Sequence, residues 1–250
     1  MSGKRRYEHR VGETSINSKG EEMTIVKYIT SNNIDVQFSD GTIVKNKNYQ
    51  SFKKGVIKNP NFKNVYGFGM KGEEFTNVRD LKSYKTWYSM IERCYSKKHI
   101  AKRPTYKDTS VCDEWSCYKN FKKWYDKNYY ELGGEKMCLD KDILVKGNKV
   151  YSPQTCIYVP NTINLLFLKR SKSRNGVIGV LRRGDKYISR VDVGNSRKKH
   201  IGVYDTEMEA FNAYKEYKEK YIKQVANEYK DKIPQRLYEA MYEYKVEIAD

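Results

Sequence analysis

Residues 177–204 contain three short runs that are typical of β-strands: VIGVLRR at 177–183, KYISRVDV at 186–193 and KKHIGVY at 198–204. β-Branched and aromatic side chains are frequent in all three runs. An amphipathic segment follows directly, from Glu207 to about Tyr229. The pattern predicts a small three-stranded sheet that is backed by one helix.

This region also carries much of the positive charge of the chain. The formal net charge is +18 over 250 residues. Residues 170–204 hold ten Lys/Arg and two Asp, which amounts to +8, whereas residues 205–250 hold eight basic and eleven acidic side chains, which amounts to −3. A basic face with an acidic back indicates a directed polyanion partner, and nucleic acid is the partner that this charge pattern favours.

The start of the amphipathic segment has the chemistry of a helix N-terminus. Thr206 can act as the N-cap, and Glu207 and Glu209 in the first turn interact favourably with the helix dipole. The stripe predicted to pack on the inner face of the sheet consists of Ala210, Phe211, Tyr214, Tyr217 and Tyr221.

From about Arg174 the chain resembles the DNA-binding domain of plant Apetala/ethylene-response factors. The matching residues are NGVIGV at 175–180, RR at 182–183, KYISRV at 186–191, HIGVYDT at 200–206 and EAF at 209–211 with AY at 213–214. The step from the last strand through Asp205 and Thr206 into the helix is the most distinctive part. The resemblance implies that one face of the sheet lies in the major groove of double-stranded DNA.

The resemblance also implies which side chains contact DNA. The candidates are Arg182, Arg183, Tyr187, Arg190, Arg197, Lys198 and Lys199. Arg is suited to guanine edges and Lys to phosphates. Alternation along residues 186–193 separates Tyr187 from Arg190, so these two cannot both lie on the contact face. The pattern does not say which face is the outer one.

The first part of the chain predicts a small antiparallel β-barrel over residues 1–62. Period-2 or β-branched runs at 22–29, 34–38 and 42–45 are separated by turn residues, including the hairpin signal Asp40-Gly41. The barrel is expected to close near residues 49–52. A docking module and a structural cap are equally compatible with it. Residues 63–80 are Gly- and Asn-rich and predict a linker.

Helices are predicted in the middle of the chain. One begins near Asp80, with Leu81, Tyr84, Trp87, Tyr88, Met90 and Ile91 at three- and four-residue spacing. A basic loop is expected at 96–110 and a second helix at 112–128. The aromatic side chains of both helices are interpreted as core residues, because they recur on one face.

Two carboxylates are the strongest candidates for metal-binding residues in the middle segment. Asp140 and Asp142 follow a strand-like run and, one residue apart, would share a strand face and could hold a hard cation such as Mg²⁺ or Mn²⁺. A loop at Gly147-Asn148, a second apolar run at 156–159 and a helix after Pro160 complete the segment. A solvated hairpin with an ion pair is the alternative.

This segment resembles the HNH, or ββα-metal, nucleases of phages and mobile introns. The resemblance implies that Asp140 is a metal ligand, Lys141 occupies the position of the base, Asn148 positions it and Asn164 is the helix ligand. The usual catalytic histidine is absent, since the three histidines are His9, His99 and His200. Lysine is a poor general base at its ordinary pKa of about 10.4. Weak or lost cleavage is therefore expected.

Composition excludes several other classes. The spacing of Cys112, Cys117, Cys138 and Cys156 is not that of a zinc site, so we expect reduced thiols and no zinc. No apolar run is long enough for a membrane span, and the N-terminus lacks the apolar segment of a signal peptide. We therefore expect no membrane partner and a location in the cytoplasm of a bacterial host cell.

The sequence thus predicts an α+β fold of three small modules. They are a barrel at 1–62, an HNH-like ββα domain with flanking helices at 81–170, and a DNA-binding domain at 171–232 followed by a helix at 233–250. The expected function is site-selective binding of double-stranded DNA by a phage or mobile-element protein. An active metal-dependent HNH-type endonuclease and a modulator of a host nucleic-acid machine, with a host or phage protein as its partner, are the alternatives.

Overall fold

The computed structural model describes residues 8–72, 81–168, 177–193 and 198–248. It is a mixed α+β fold, as predicted, with several small sheets. The strands are β1 (Thr14–Ile16), β2 (Glu22–Thr30), β3 (Asn33–Phe38), β4 (Ile43–Lys47), β5 (Ser110–Val111), β6 (Met137–Asp140), β7 (Val150–Tyr151), β8 (Ile157–Pro160), β9 (Val180–Arg183), β10 (Lys186–Asp192) and β11 (Lys198–Tyr204). The helices are α1 (Tyr49–Lys53), α2 (Lys82–Tyr95), α3 (Lys97–Lys102), α4 (Tyr118–Asn128), α5 (Asn161–Phe167), α6 (Glu207–Tyr229) and α7 (Gln235–Tyr242). Within these ranges, no helix is long and apolar enough to cross a membrane.

Some predicted features lie outside the described residues. They are the end of the linker at 73–80, the helix start near Asp80, the first residues of the Apetala-like segment at 174–176, and Arg197. The first part of the predicted linker, residues 63–72, is described and includes a bridge between Val65 and Gly69.

The chain folds into two compact units. One consists of Met1–Lys107 with Asp113–Lys122, and the other of Asp108–Cys112 with Lys123–Asp250. These boundaries differ from those of the three predicted modules. The segment at 81–170 is divided between the units, and its second half shares a unit with the C-terminal sheet.

Strands β1 to β4 form an antiparallel sheet in which each strand pairs with its neighbour in sequence. Alternate side chains such as Ile25, Val36 and Phe38 are buried in its core. The described residues form an open sheet rather than the closed barrel that was predicted. The chain turns into α1 where closure was expected, because the side chain of Asn48 accepts the backbone N–H groups of Gln50 and Ser51 and so caps a helix.

The helices of the first unit bury their aromatic residues, as predicted. Tyr84, Trp87, Met90 and Ile91 of α2 lie in the interior, whereas Tyr88 remains 38% exposed. The predicted loop at 96–110 is partly wrong, since it contains α3. The hydroxyl of Ser96 accepts the N–H of His99 and provides the cap that starts this helix.

Helix α6 organises the second unit. The helix begins with a capping box: the Thr206 hydroxyl accepts the backbone N–H of Glu209, and the Glu209 carboxylate accepts the backbone N–H of Thr206. The predicted N-cap is therefore confirmed. The helix has 23 residues and is about 34 Å long, so it can contribute side chains to two separate hydrophobic clusters.

The two clusters lie on successive parts of α6. Ala210, Phe211 and Tyr214 pack against the sheet of β9, β10 and β11, in agreement with the predicted stripe. Farther along, Ile222 and Val225 pack with side chains from β8, α5 and α7. Strand β8, helix α5 and the C-terminal sheet are therefore connected through one helix, which is consistent with their membership of a single unit.

Candidate nucleic-acid interface

The C-terminal sheet has β10 in the centre, with β9 and β11 on either side. Residues that lie opposite each other in antiparallel strands point to the same face. Ile188 of β10 lies between Leu181 of β9 and Val203 of β11, and Arg190 lies opposite His200. This pairing assigns the two faces that the sequence left open.

Helix α6 covers one of the faces, which we call the helix side. Ser189 and Val191 of β10 are fully buried there, and Val180 of β9 is 7% exposed. Helix and sheet are in close contact next to β9. A Cβ atom on Gly179 would lie 2.1 Å from the ring of Tyr214, so only glycine fits this position.

The opposite face, which we call the outer face, is not covered by α6. Its side chains are Leu181, Arg183, Lys186, Ile188, Arg190, Asp192, Lys198, His200 and Val203. Six of them line an open depression of about 450 Å³: Leu181, Arg183, Ile188, Arg190, Lys198 and His200. The face thus combines cationic and aliphatic side chains around one shallow concavity.

The charges of the outer face are only partly neutralised. Lys186 forms an ion pair with the carboxylate of Asp205. Arg183, Arg190 and Lys198 form no ion pair with any residue in the described ranges. Their positive charge is available to an external anion.

The predicted DNA contacts divide between the two faces. Arg183, Arg190 and Lys198 lie on the outer face. Arg182, Tyr187 and Lys199 lie on the helix side, because they are paired in register with residues of that face: Arg182 with Tyr187, and Lys199 with Val191. The ammonium of Lys199 lies 4.8 Å from the ring centroid of Tyr217 of α6, and the guanidinium of Arg182 lies 6.0 Å from that of Tyr187. The six candidates that the structure describes therefore do not form one surface.

Among the basic residues of the outer face, Lys186 and His200 were missed by the sequence-based assignment. The register of β11 changes between the pairs Ser189–Gly202 and Arg190–His200, which leaves Ile201 as the extra residue of a β-bulge. The bulge turns His200 and Lys198 outward and Lys199 toward α6. Simple alternation counted back from Val203 would have assigned the opposite faces.

The second group of predicted site residues lies at the end of β6. Strands β6 and β8 pair antiparallel, with Asp140 opposite Ile157, and α5 follows Pro160, so the predicted order of strand, strand and helix is present. The strand ends at Asp140. Asp142 is therefore brought near Asp140 by a turn, and the expected shared strand face is wrong. One carboxylate oxygen of Asp140 accepts the N–H groups of Asp142 at 2.9 Å and Ile143 at 2.8 Å.

Lys141 and Asn148 stabilise the loop that follows, residues 141–150. The Lys141 ammonium donates to the carbonyl of Asn148 at 3.0 Å and lies 3.3 Å from the Asp142 carboxylate. The Asn148 amide donates to the carbonyls of Lys141 and Val150, both at 2.7 Å. Within the part of the chain that the structure describes, Asn164 makes no hydrogen bond to either carboxylate.

These contacts do not fit the Mg²⁺ or Mn²⁺ site that the HNH resemblance implies. A hard cation needs several oxygen ligands that converge on one point. Here one Asp140 oxygen is occupied by backbone N–H groups, Asp142 is paired with an ammonium, and the Asn148 amide is bonded within the loop. Burial, assisted by the charge of Asp142, raises the pKa of Asp140 to about 6. These polar groups therefore form contacts within the loop itself.

Comparisons of the chain with models of known protein families, with curated proteins and with solved structures found no match.

Proposed function

We propose that the chain binds double-stranded DNA site-selectively through the outer face of the β9–β11 sheet, and that cleavage is weak or lost. The observation that carries the proposal is the presence of Arg183, Arg190 and Lys198 without ion-pair partners among the described residues, on a face that α6 leaves uncovered. A polyanion that approaches this face is attracted by the three cations.

The chemistry of the face suits the major groove in particular. Arginine can form bidentate hydrogen bonds with guanine, while lysine contacts phosphates as a point charge. The sheet is supported from behind by a buried core that includes Val180 and Val191. A supported sheet keeps its cations in place, so less conformational entropy is lost when they bind.

Neighbouring residues of the same type on opposite faces provide a matched test. We expect the double variant Arg183→Gln, Lys198→Gln to bind a DNA duplex about 10- to 100-fold more weakly. The slope of log K against log salt should also become shallower by about 1 to 2, because each lost phosphate contact removes about 0.9 and arginine can contact either a guanine or a phosphate. The control is Arg182→Gln, Lys199→Gln, which removes the same charges from the helix side. Fluorescence anisotropy at salt concentrations from about 50 to about 300 mM measures the affinity and the salt slope.

Equal effects of the two double variants would contradict the assignment of the outer face. If the whole chain shows no salt-dependent affinity for duplex DNA, DNA binding itself is contradicted. In that case a protein partner, and a modulating role, would become the better explanation of the basic charge.

An active metal-dependent endonuclease is the competing function. The order β6, β8, α5, with Asp140 at the end of β6, is the observation in its favour. Supercoiled plasmid incubated with Mg²⁺ or Mn²⁺ should remain intact, because the loop contacts of Asp140, Asp142 and Asn148 leave no convergent set of ligands. Nicking that requires the metal and is lost in Asp140→Ala would establish the endonuclease instead.

A further inference from the structure

Three aliphatic side chains form a row across the outer face. Ile188 in the central strand lies directly opposite Leu181 on one side and Val203 on the other. Val203 is 56% exposed, and the other two are half-buried. None of the three belongs to the core between the sheet and α6. A single exposed aliphatic residue is ordinary, but a row that crosses every strand of the sheet calls for a partner with apolar groups.

Basic residues flank the aliphatic row on both sides. On one side lie Arg183 and Lys186, each two residues along its strand from Leu181 or Ile188. On the other side lie Arg190, two residues from Ile188, and His200, which the β-bulge places opposite Arg190. Residues two apart in a strand are separated by about 7 Å, so the flanking rows are about 13 Å apart. The major groove of DNA is about 12 Å wide. A sheet whose aliphatic row follows the groove floor would therefore place Arg183 near one phosphate backbone and Arg190 near the other.

The length of the row matches a short run of base pairs. Three strands at about 4.8 Å spacing give a row of about 10 Å. Successive base pairs are about 3.4 Å apart, so the row faces about three of them. The apolar group that base pairs present in the major groove is the 5-methyl group of thymine.

We propose that Leu181, Ile188 and Val203 contact thymine 5-methyl groups, so that the outer face selects duplex DNA with thymines at two or three adjacent base pairs. This inference rests on the DNA binding proposed above and adds the class of sequence that is bound. The flanking cations supply affinity, and the aliphatic row supplies discrimination between bases.

Replacement of thymine by deoxyuridine tests the inference directly, because it removes the 5-methyl group and leaves the hydrogen-bonding groups unchanged. A duplex obtained by binding-site selection with the full chain is resynthesised with single deoxyuridine substitutions. We expect affinity to fall about 4-fold for each methyl group that is contacted, as for the loss of one buried methylene-sized group. Val203→Ala and Ile188→Ala should each reduce this penalty while leaving the salt slope unchanged.

Met208→Ala is the matched control variant, because Met208 is a similarly exposed apolar residue, 54% exposed, on α6. It should retain the full deoxyuridine penalty. The inference is overturned if selection yields a consensus without thymine, if deoxyuridine binds as well as thymine, or if the penalty is the same in Val203→Ala, Ile188→Ala and the unmodified chain. Each of these results would leave the salt-dependent binding, and hence the proposed function, intact. Loss of the salt dependence in the unmodified chain would instead remove both.

Discussion

Gly179→Ala should destabilise the C-terminal sheet by about 2–5 kcal/mol. Gly179 has a φ of +77°, a left-handed conformation that side chains disfavour. Its new Cβ would lie 2.1–2.6 Å from three ring atoms of Tyr214. Tyr214 is only 7% exposed and packs in the core between α6 and the sheet, so it has little room to move.

Gly184→Ala is the control that separates strain from crowding. Gly184 lies in the turn between β9 and β10 with a φ of +64°, but a Cβ atom there meets nothing within 4 Å. It should cost only about 1 kcal/mol from backbone strain. Urea denaturation, together with amide hydrogen exchange of β9 to β11, measures both variants. Equal losses in the two variants would show that contact with Tyr214 does not determine how closely α6 approaches the sheet.

The consequence for function follows from the same contact. The backbone carbonyl of Gly179 accepts the N–H of Arg190 at 2.9 Å, so a shift at Gly179 would displace a candidate DNA contact on the outer face. Gly179→Ala is therefore also expected to weaken DNA binding, although residue 179 lies beside the helix and carries no charge.

Local chemistry made the elements of the C-terminal sheet predictable. The alternation in residues 186–193 and the Thr206 and Glu209 pair are signals that depend on a few adjacent residues, and both correspond to observed structure. The faces of β11 were not predictable in this way. They depend on the bulge at Ile201, which arises from pairing with β10 and leaves no mark in the composition of the strand.

The Asp140 site shows a different limit of sequence patterns. The order of strands and helix could be inferred from apolar runs and from Pro160, because these determine local structure. The hydrogen-bond partner of each polar atom could not be inferred in this way. Whether the Asn148 amide faces a reacting group or the carbonyls of its own loop depends on the loop conformation, and here it faces the carbonyls. A motif defined by residue types does not distinguish these two roles.

Replacement of Asp140 by asparagine should increase stability by roughly 1–3 kcal/mol at pH 8. The folded chain raises the pKa of Asp140 from 3.8 to about 6, mainly through burial and further through the charge of Asp142. Between these pH values the folded state therefore holds a proton that the unfolded state has lost. Stability falls as the pH rises through this window, and the full cost remains above it. The amide oxygen of asparagine can still accept the N–H groups of Asp142 and Ile143, so the turn is retained.

Urea titrations of the full chain at about pH 4, 6 and 8 would measure how its stability changes as Asp140 titrates. The gain of Asp140→Asn should be small at the lowest pH and largest at the highest, whereas Asp185→Asn, which removes the same charge from an exposed turn, should change stability little. The same titrations with Mg²⁺ or Mn²⁺ test the role of the loop, since a cation that binds only the folded state stabilises it. A metal-dependent stabilisation of the unmodified chain that is absent from Asp140→Asn would mean that this carboxylate is kept for a cation. Stabilisation by asparagine without any response to metal would mean that Asp140 now serves the turn, at a cost in stability that an uncharged residue would avoid.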